Sequence, residues 1–157
     1  MDSVDEHGKP KRAEQYEVAK TDAEWRAQLD DAQYRVLRHQ ATERPFTSPL
    51  NKEYRPGMFS CAGCGLELFE ATDKFDSGCG WPSFTQPKDY AVAEAVDLSH
   101  GMRRVEVHCR RCGGHLGHVF EDGPAPTGLR YCINGVSLTF APRDGALNAK
   151  TGGTRRP

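Results

Sequence analysis

The sequence predicts a mainly β protein of antiparallel sheets, with short helices confined to its N-terminal flank. Three observations carry that prediction. Beyond Arg44-Pro45 the chain breaks into short apolar segments of period two, bounded by Gly, Pro, Asp and Asn. Most of the 16 glycines and 10 prolines fall between those segments. No strand pattern alternates with a long helical one, which excludes a doubly wound nucleotide-binding sheet.

Residues 1–20 are polar, contain Gly8 and Pro10 and show no apolar periodicity, so they are expected to form a mobile N-terminal tail. The folded domain is expected over residues 21–141. Thr21-Asp22-Ala23-Glu24 has the capping-box pattern, and Trp25 and Leu29 follow one turn apart. Asp30-Asp31-Ala32-Gln33 offers a second cap, after which Tyr34 and Leu37 share a face. Two short helices, 22–29 and 31–39, are expected, with the role of covering one side of a sheet. The strand candidates are Gly57–Ser60, Leu66–Phe69, Val92–Val96, Arg104–Val107, His118–Phe120 and Val136–Phe140. Residues 142–157 are expected to be a flexible tail, small and polar from Asn148 to Pro157.

A chain of 157 residues is one domain's worth of material. Lys+Arg 21 against Asp+Glu 22 leaves a net charge of −1, without the basic footprint of a nucleic-acid binder. No apolar run approaches the ~18 residues of a membrane span. The start, Met1-Asp2-Ser3-Val4-Asp5-Glu6, is acidic and lacks the apolar stretch of a secretory signal, so a cytoplasmic protein is expected. In a reducing cytosol six cysteines point to metal binding or thiol chemistry rather than structural disulfides.

Four of the six form two related devices. Met58-Phe59-Ser60-Cys61-Ala62-Gly63-Cys64-Gly65 and Glu106-Val107-His108-Cys109-Arg110-Arg111-Cys112-Gly113 both read apolar-x-Cys-x-x-Cys-Gly. Two residues between cysteines let both sulfurs of one tight turn face a common centre, and the following Gly tolerates positive φ. Two such knuckles supply four thiolates in a tetrahedron, as in closed structural zinc sites. Iron in a rubredoxin-like site uses the same four sulfurs. The competing reading, one redox Cys-x-x-Cys beside an incidental pair, needs a βαβ context that is missing. The 44 intervening residues mean that the metal ties together two distant loops.

Cys79 and Cys132 stand apart. Cys132 lies in a strand-like segment, Arg130-Tyr131-Cys132-Ile133-Asn134, and Cys79 in a glycine-flanked loop, Gly78-Cys79-Gly80-Trp81. A thiol held rigidly and another on a mobile loop match a nucleophile and a resolving partner. Arg130, His115 and His118 are candidates to lower a thiol pKa. Spacing alone equally allows two ordinary buried thiols, since free cysteine is among the most buried residue types.

The strings Gly78–Phe84 (GCGWPSF), His115–Phe120 (HLGHVF) and Arg130–Asn134 (RYCIN) resemble the type-B methionine sulfoxide reductases. Asp97–Arg103, Asp122-Gly123-Pro124, Thr42–Phe46 and both knuckles fit the same pattern, in order, over roughly residues 21–141. Gly135-Val136 stands where many members have Ser-Ala. The resemblance implies a zinc-containing β-tent architecture and reduction of the R epimer of methionine sulfoxide, preferentially within proteins. It implies Cys132 as nucleophile and Cys79 as resolving thiol, with the disulfide reopened by thioredoxin. His118, His115 and Asn134 are implied as groups that assist departure of the sulfoxide oxygen. Trp81 is implied as the wall for the substrate's S-methyl group, although a core tryptophan would fit its neighbours Pro82 and Phe84. Arg130 is implied beside the nucleophile, where it could equally hold a carboxylate. Cys61, Cys64, Cys109 and Cys112 are the implied zinc ligands. Set against this are a non-enzymatic metal module similar to the guanine-nucleotide-exchange-factor-like chaperones, a rubredoxin-like electron carrier and a nucleic-acid-binding zinc domain. The first has no use for Cys79, Trp81, His118 and Cys132 together, a colourless protein would reject the second, and the charge balance speaks against the third.

Overall fold

The computed structural model of the protein describes residues 16–143. The expected tail residues 1–15 and 144–157 lie outside it. The fold class is as the sequence predicts: among the described residues two α-helices precede nine strands, all paired antiparallel. Helix α1 spans Asp22–Gln28 and α2 spans Asp31–His39. Both begin with the capping boxes legible in the sequence, Thr21 with Glu24 and Asp30 with Gln33, which satisfy backbone N–H groups that a helix start leaves unpaired.

Strands β1 (Gly57–Cys61), β2 (Glu67–Glu70) and β9 (Leu138–Pro142) form a three-stranded sheet in the order β2-β1-β9. Strands β3 (Lys74–Phe75), β4 (Ser83–Phe84), β5 (Val92–Asp97), β6 (Arg104–Cys109), β7 (His115–Phe120) and β8 (Arg130–Ile133) form the second sheet, ordered β3-β4-β8-β7-β6-β5. Aromatic rings cement the sheets together. Phe84 stacks on Phe69 with centroids 4.3 Å apart and meets Phe59 edge-on at 5.2 Å. Phe59, Phe69 and Phe84 are fully buried, each worth about 1.5–3 kcal/mol of burial.

The expected tail boundary shifts. Tyr16 is buried and Val18 N–H donates to the Arg111 carbonyl at 2.9 Å, so residues 16–18 lie against the second knuckle rather than free of the domain. The apolar pair that the surrounding polar residues obscure supplies the reason.

One face of the six-stranded sheet carries the chemistry. Its register sets Ala95, Glu106, His118, Cys132 and Ser83 in one cross-strand row. His115 and His118 are three apart and would face opposite sides of a regular strand. The β6–β7 register shifts between Val107 and His108, so that His108 pairs with His115 and Leu116 is the extra residue of a bulge. The bulge turns both histidines to the same face, their ring centroids 5.6 Å apart.

Close strand contact needs Gly117. A Cβ built there would stand 2.0 Å from the Cys132 carbonyl oxygen. Gly117→Ala is therefore expected to cost about 2–3 kcal/mol and lower the melting midpoint by roughly 5–10 °C. A midpoint within about 2 °C of the parent in a thermal melt would contradict this packing.

Candidate active site

A cavity of about 250 Å³ opens on this face, lined by Thr42, Cys79, Trp81, Arg104, His118, Phe120, Arg130, Cys132 and Asn134. Strand β8 presents Cys132, which is partly exposed, while the loop between β3 and β4 presents Cys79. Gly78 and Gly80 adopt φ of +76° and +97°, the left-handed region that turns the loop back on itself. The two sulfurs lie 3.5 Å apart. Ser77 Oγ–H donates to Cys79 Sγ at 3.0 Å, and Ser83 Oγ lies 3.4 Å from the same sulfur.

These surroundings separate the two thiols. Burial raises the Cys79 pKa, but hydrogen bonds from Ser77, Ser83 and Cys132 outweigh it and bring the pKa below its ordinary value. Burial and the adjacent Cys79 push Cys132 up to about 12, against a smaller lowering by Arg130. The expectation that Arg130 makes Cys132 acidic thus holds in sign but not in outcome. Its guanidinium is clamped by Asp122, Nε to Oδ1 at 2.8 Å and Nη2 to Oδ2 at 3.1 Å, and lies over the Phe120 ring. The carboxylate offsets the field that Arg130 projects onto the thiol.

His118 stands beside Cys132 in the cross-strand row, and its Nε2 lies 2.7 Å from Asp97 Oδ2. Burial acts to raise Asp97, but hydrogen bonds from His118 and Ser99 overcome it and hold the carboxylate ionised. An ionised acceptor requires the proton on Nε2, leaving Nδ1 with a lone pair. Burial lowers the His118 pKa despite Asp97, so the ring is neutral near pH 7. His115, by contrast, is buried behind this wall, its Nδ1 2.8 Å from Glu106 Oε2. Glu106 also takes His108 Nδ1 at 3.0 Å. Burial acts to raise Glu106, and these two bonds bring it down to about 2.

Trp81 and Asn134 reach the cavity from separate loops. Trp81 Nε1–H donates to the Glu43 carbonyl at 3.0 Å. Asn134 Oδ1 accepts the Glu43 N–H at 2.9 Å, and Asn134 Nδ2 donates to the Leu116 carbonyl at 2.9 Å. One Asn134 amide hydrogen is left by those two bonds. The cavity thus gathers Cys132, Cys79, His118, Trp81, Asn134 and Arg130, with His115 one layer behind. Thr42, Arg104, Asp97 and Glu106 received no role from the sequence. Asp97 stands in a motif quoted above, and Glu106 reads as an ordinary outward charge in an alternating strand.

The two knuckles are near copies of one another. Cys61 N–H donates to the Leu66 carbonyl and Cys109 N–H to that of Gly114, both at 2.8 Å. Gly65 and Gly113 close the turns at φ +82° and +76°. All four sulfurs lie within 4.8 Å of one another, with Cys61–Cys112 at 3.7 Å and Cys64–Cys109 at 3.5 Å. A tetrahedral zinc with Zn–S of about 2.3 Å needs sulfurs about 3.8 Å apart, so the cage fits such an ion. The helices cover it. Gln28 Nε2 donates to the Gly63 carbonyl and Arg38 Nη1 to that of Cys112, while Trp25 packs against Gly63. Strand β6 runs from Arg104 in the cavity to Cys109 in the cage, about 16 Å at 3.3 Å per residue.

A dithiol within contact distance, an imidazole and an indole around one cavity define a thiol-redox pocket, braced by a separate four-sulfur metal cage. A SelR domain matches residues 29–142. The chain is 60% identical over 130 residues to the peptide methionine sulfoxide reductase MsrB of Pseudomonas putida strain W619, covering 82% of this chain and 98% of that one. It is 54% identical over 144 residues to the protein of the same name from Methylibium petroleiphilum, covering 91% and 99%. For that from Bradyrhizobium diazoefficiens the identity is 58% over 127 residues, covering 80% and 91%. The chain belongs to the SelR-domain family, that of the MsrB peptide methionine sulfoxide reductases.

Proposed function

We propose that the protein reduces the R epimer of methionine sulfoxide, above all within proteins, to methionine. The observation that carries this reading is the 3.5 Å separation of Cys132 and Cys79 on the wall of a cavity shared with Trp81 and His118. The Cys132 sulfur attacks the sulfoxide sulfur while its proton is relayed through His118 Nδ1, so that no free thiolate has to form beforehand. The relay delivers that proton to the sulfoxide oxygen, a poor leaving group without it. The S–O bond breaks, and as the departing hydroxide adds to the Cys132 sulfur the new S–S bond cleaves with its electron pair going to the substrate: methionine leaves and Cys132 becomes a sulfenic acid. Trp81 receives the S-methyl group through a sulfur–aromatic contact worth about 0.3–1.5 kcal/mol. Asn134 directs its remaining amide hydrogen toward the oxygen, Arg130 stabilises the developing thiolate, and His115 supports His118 from behind.

The Cys79 thiolate then displaces hydroxide from the sulfenic sulfur, and with the thiol proton one water leaves and a Cys79–Cys132 disulfide remains. A dithiol reductant of the thioredoxin class reopens it by exchange, as fits a cytoplasmic repair enzyme. The donor set Cys61, Cys64, Cys109 and Cys112 suits one structural zinc with no open position. No helix among the described residues is long and apolar enough to cross a membrane.

The test is an assay on separated R and S epimers of a methionine-sulfoxide peptide with dithiol reductant, products weighed by mass. Activity on R alone is expected; activity on S, or on neither, would refute the reading. Cys79→Ser is expected to complete about one turnover with thioredoxin-type reductant and then stall as sulfenic acid, trapped by a dimedone adduct. Undiminished thioredoxin-dependent turnover would assign resolution to another cysteine.

A further inference from the structure

Residues 40–48 carry no helix or strand, yet one of them touches three parts of the pocket. Glu43 is half-buried between the loops that hold Trp81 and Asn134. Its backbone N–H donates to Asn134 Oδ1 at 2.9 Å, and its carbonyl accepts from Trp81 Nε1 at 3.0 Å. Its carboxylate accepts from the backbone of Gly135 at 2.8 Å and Val136 at 3.0 Å, the turn that follows Asn134. A carboxylate taking two N–H groups is a charge-assisted pair of bonds, stronger than neutral ones. The strap continues: Phe46 N–H donates to the Gly80 carbonyl at 2.7 Å, beside Cys79, and a Cβ on Gly80 would stand 2.7 Å from Pro45.

The geometry points to Glu43 as a positioning residue: its carboxylate pins the strap to the Gly135-Val136 turn, and the pinned backbone sets the spacing between the Trp81 indole and the Asn134 amide. Neither of those side chains is fixed by its own loop alone. Trp81 Nε1 has the strap for its acceptor, and one end of the Asn134 amide has the strap for its donor. A side chain that never reaches the substrate therefore determines how the methyl wall and the amide are held relative to Cys132. This inference rests on the sulfoxide reading for its catalytic consequence, but not for its geometry.

Glu43→Gln is nearly isosteric and keeps a single acceptor for two donors, while Glu43→Ala keeps none. In both, kcat/KM for the R-sulfoxide peptide is expected to fall about ten-fold or more, since small misplacement of positioning groups can cost 10²-fold. Metal content is expected to stay at the parent level, and the melting midpoint to fall by roughly 2–4 °C per kcal/mol lost while the protein stays folded at assay temperature. Acrylamide quenching of Trp81 emission, isolated by subtracting the Trp81→Phe spectrum because Trp25 is the only other indole, is expected to rise about two-fold. Unchanged kcat/KM together with unchanged quenching overturns the inference. A loss of activity that tracks lost folded protein, with quenching unchanged, also overturns it, because the role is then merely structural. Increased quenching in a protein whose parent ignores both epimers upholds the strap and removes the sulfoxide reading instead.

Discussion

Cys132→Ser is expected to abolish sulfoxide reduction, by on the order of 10³-fold or more, while the fold and the metal cage stay intact. Serine oxygen has neither the acidity nor the polarisability to attack a sulfoxide sulfur, and it cannot hold the transferred oxygen as a sulfenic acid does. The substitution removes one partly exposed sulfur, in the row of Glu106 and so about 10 Å along the sheet from Cys109 at 3.3 Å per residue. Circular dichroism, a thermal melt and metal analysis are expected to match the parent while turnover vanishes. Retention of more than about a tenth of the parent rate would strip Cys132 of its role. Loss of the metal in the same variant would show that pocket and cage are not separable.

Metal removal is expected to act the other way, on stability first and on catalysis through it. Structural zinc sites bind with about 10–16 kcal/mol, comparable to the ~5–15 kcal/mol stability of a whole domain. Even partial loss, about 4 kcal/mol, would lower the melting midpoint by roughly 8–16 °C at this size. Cys61 closes β1 and Cys109 closes β6, so the cage joins the ends of both sheets beneath α1 and α2. Chelation at raised temperature is expected to lower the midpoint of unfolding, with activity falling only as folded protein is lost. Rapid loss of turnover in a protein whose melt is unchanged would mean that the ion takes part in the reaction.

Much of this architecture is written locally. Capping boxes announce themselves within four residues, and α1 and α2 begin where Thr21 and Asp30 place them. The knuckles are equally local, since each needs only two cysteines and a glycine. What escapes the sequence is whatever depends on distant chain. Strands β3 and β4 are two residues each, too short for any period to register, and exist because β8 offers an edge for β4. Strand β9 returns across most of the chain to pair with β1. Glu106 reads as a solvent-facing charge in alternation, and it is buried because two histidines from different strands meet its carboxylate. Glu43 lies in a segment with no periodicity at all, and its importance arises only when Gly80, Trp81 and Asn134 close around it.

The extra residue at Leu116 has a consequence for insertions and deletions. Strand parity is a counting rule, and β7 miscounts by one between its two imidazoles. Removing Leu116 would leave the two histidines two apart, on one face of a regular strand, but would take away the carbonyl that accepts both the Asn134 backbone N–H and its side-chain amide. A shortened β7 would then be felt at the Asn134 amide on the cavity wall rather than at the imidazoles or the cage.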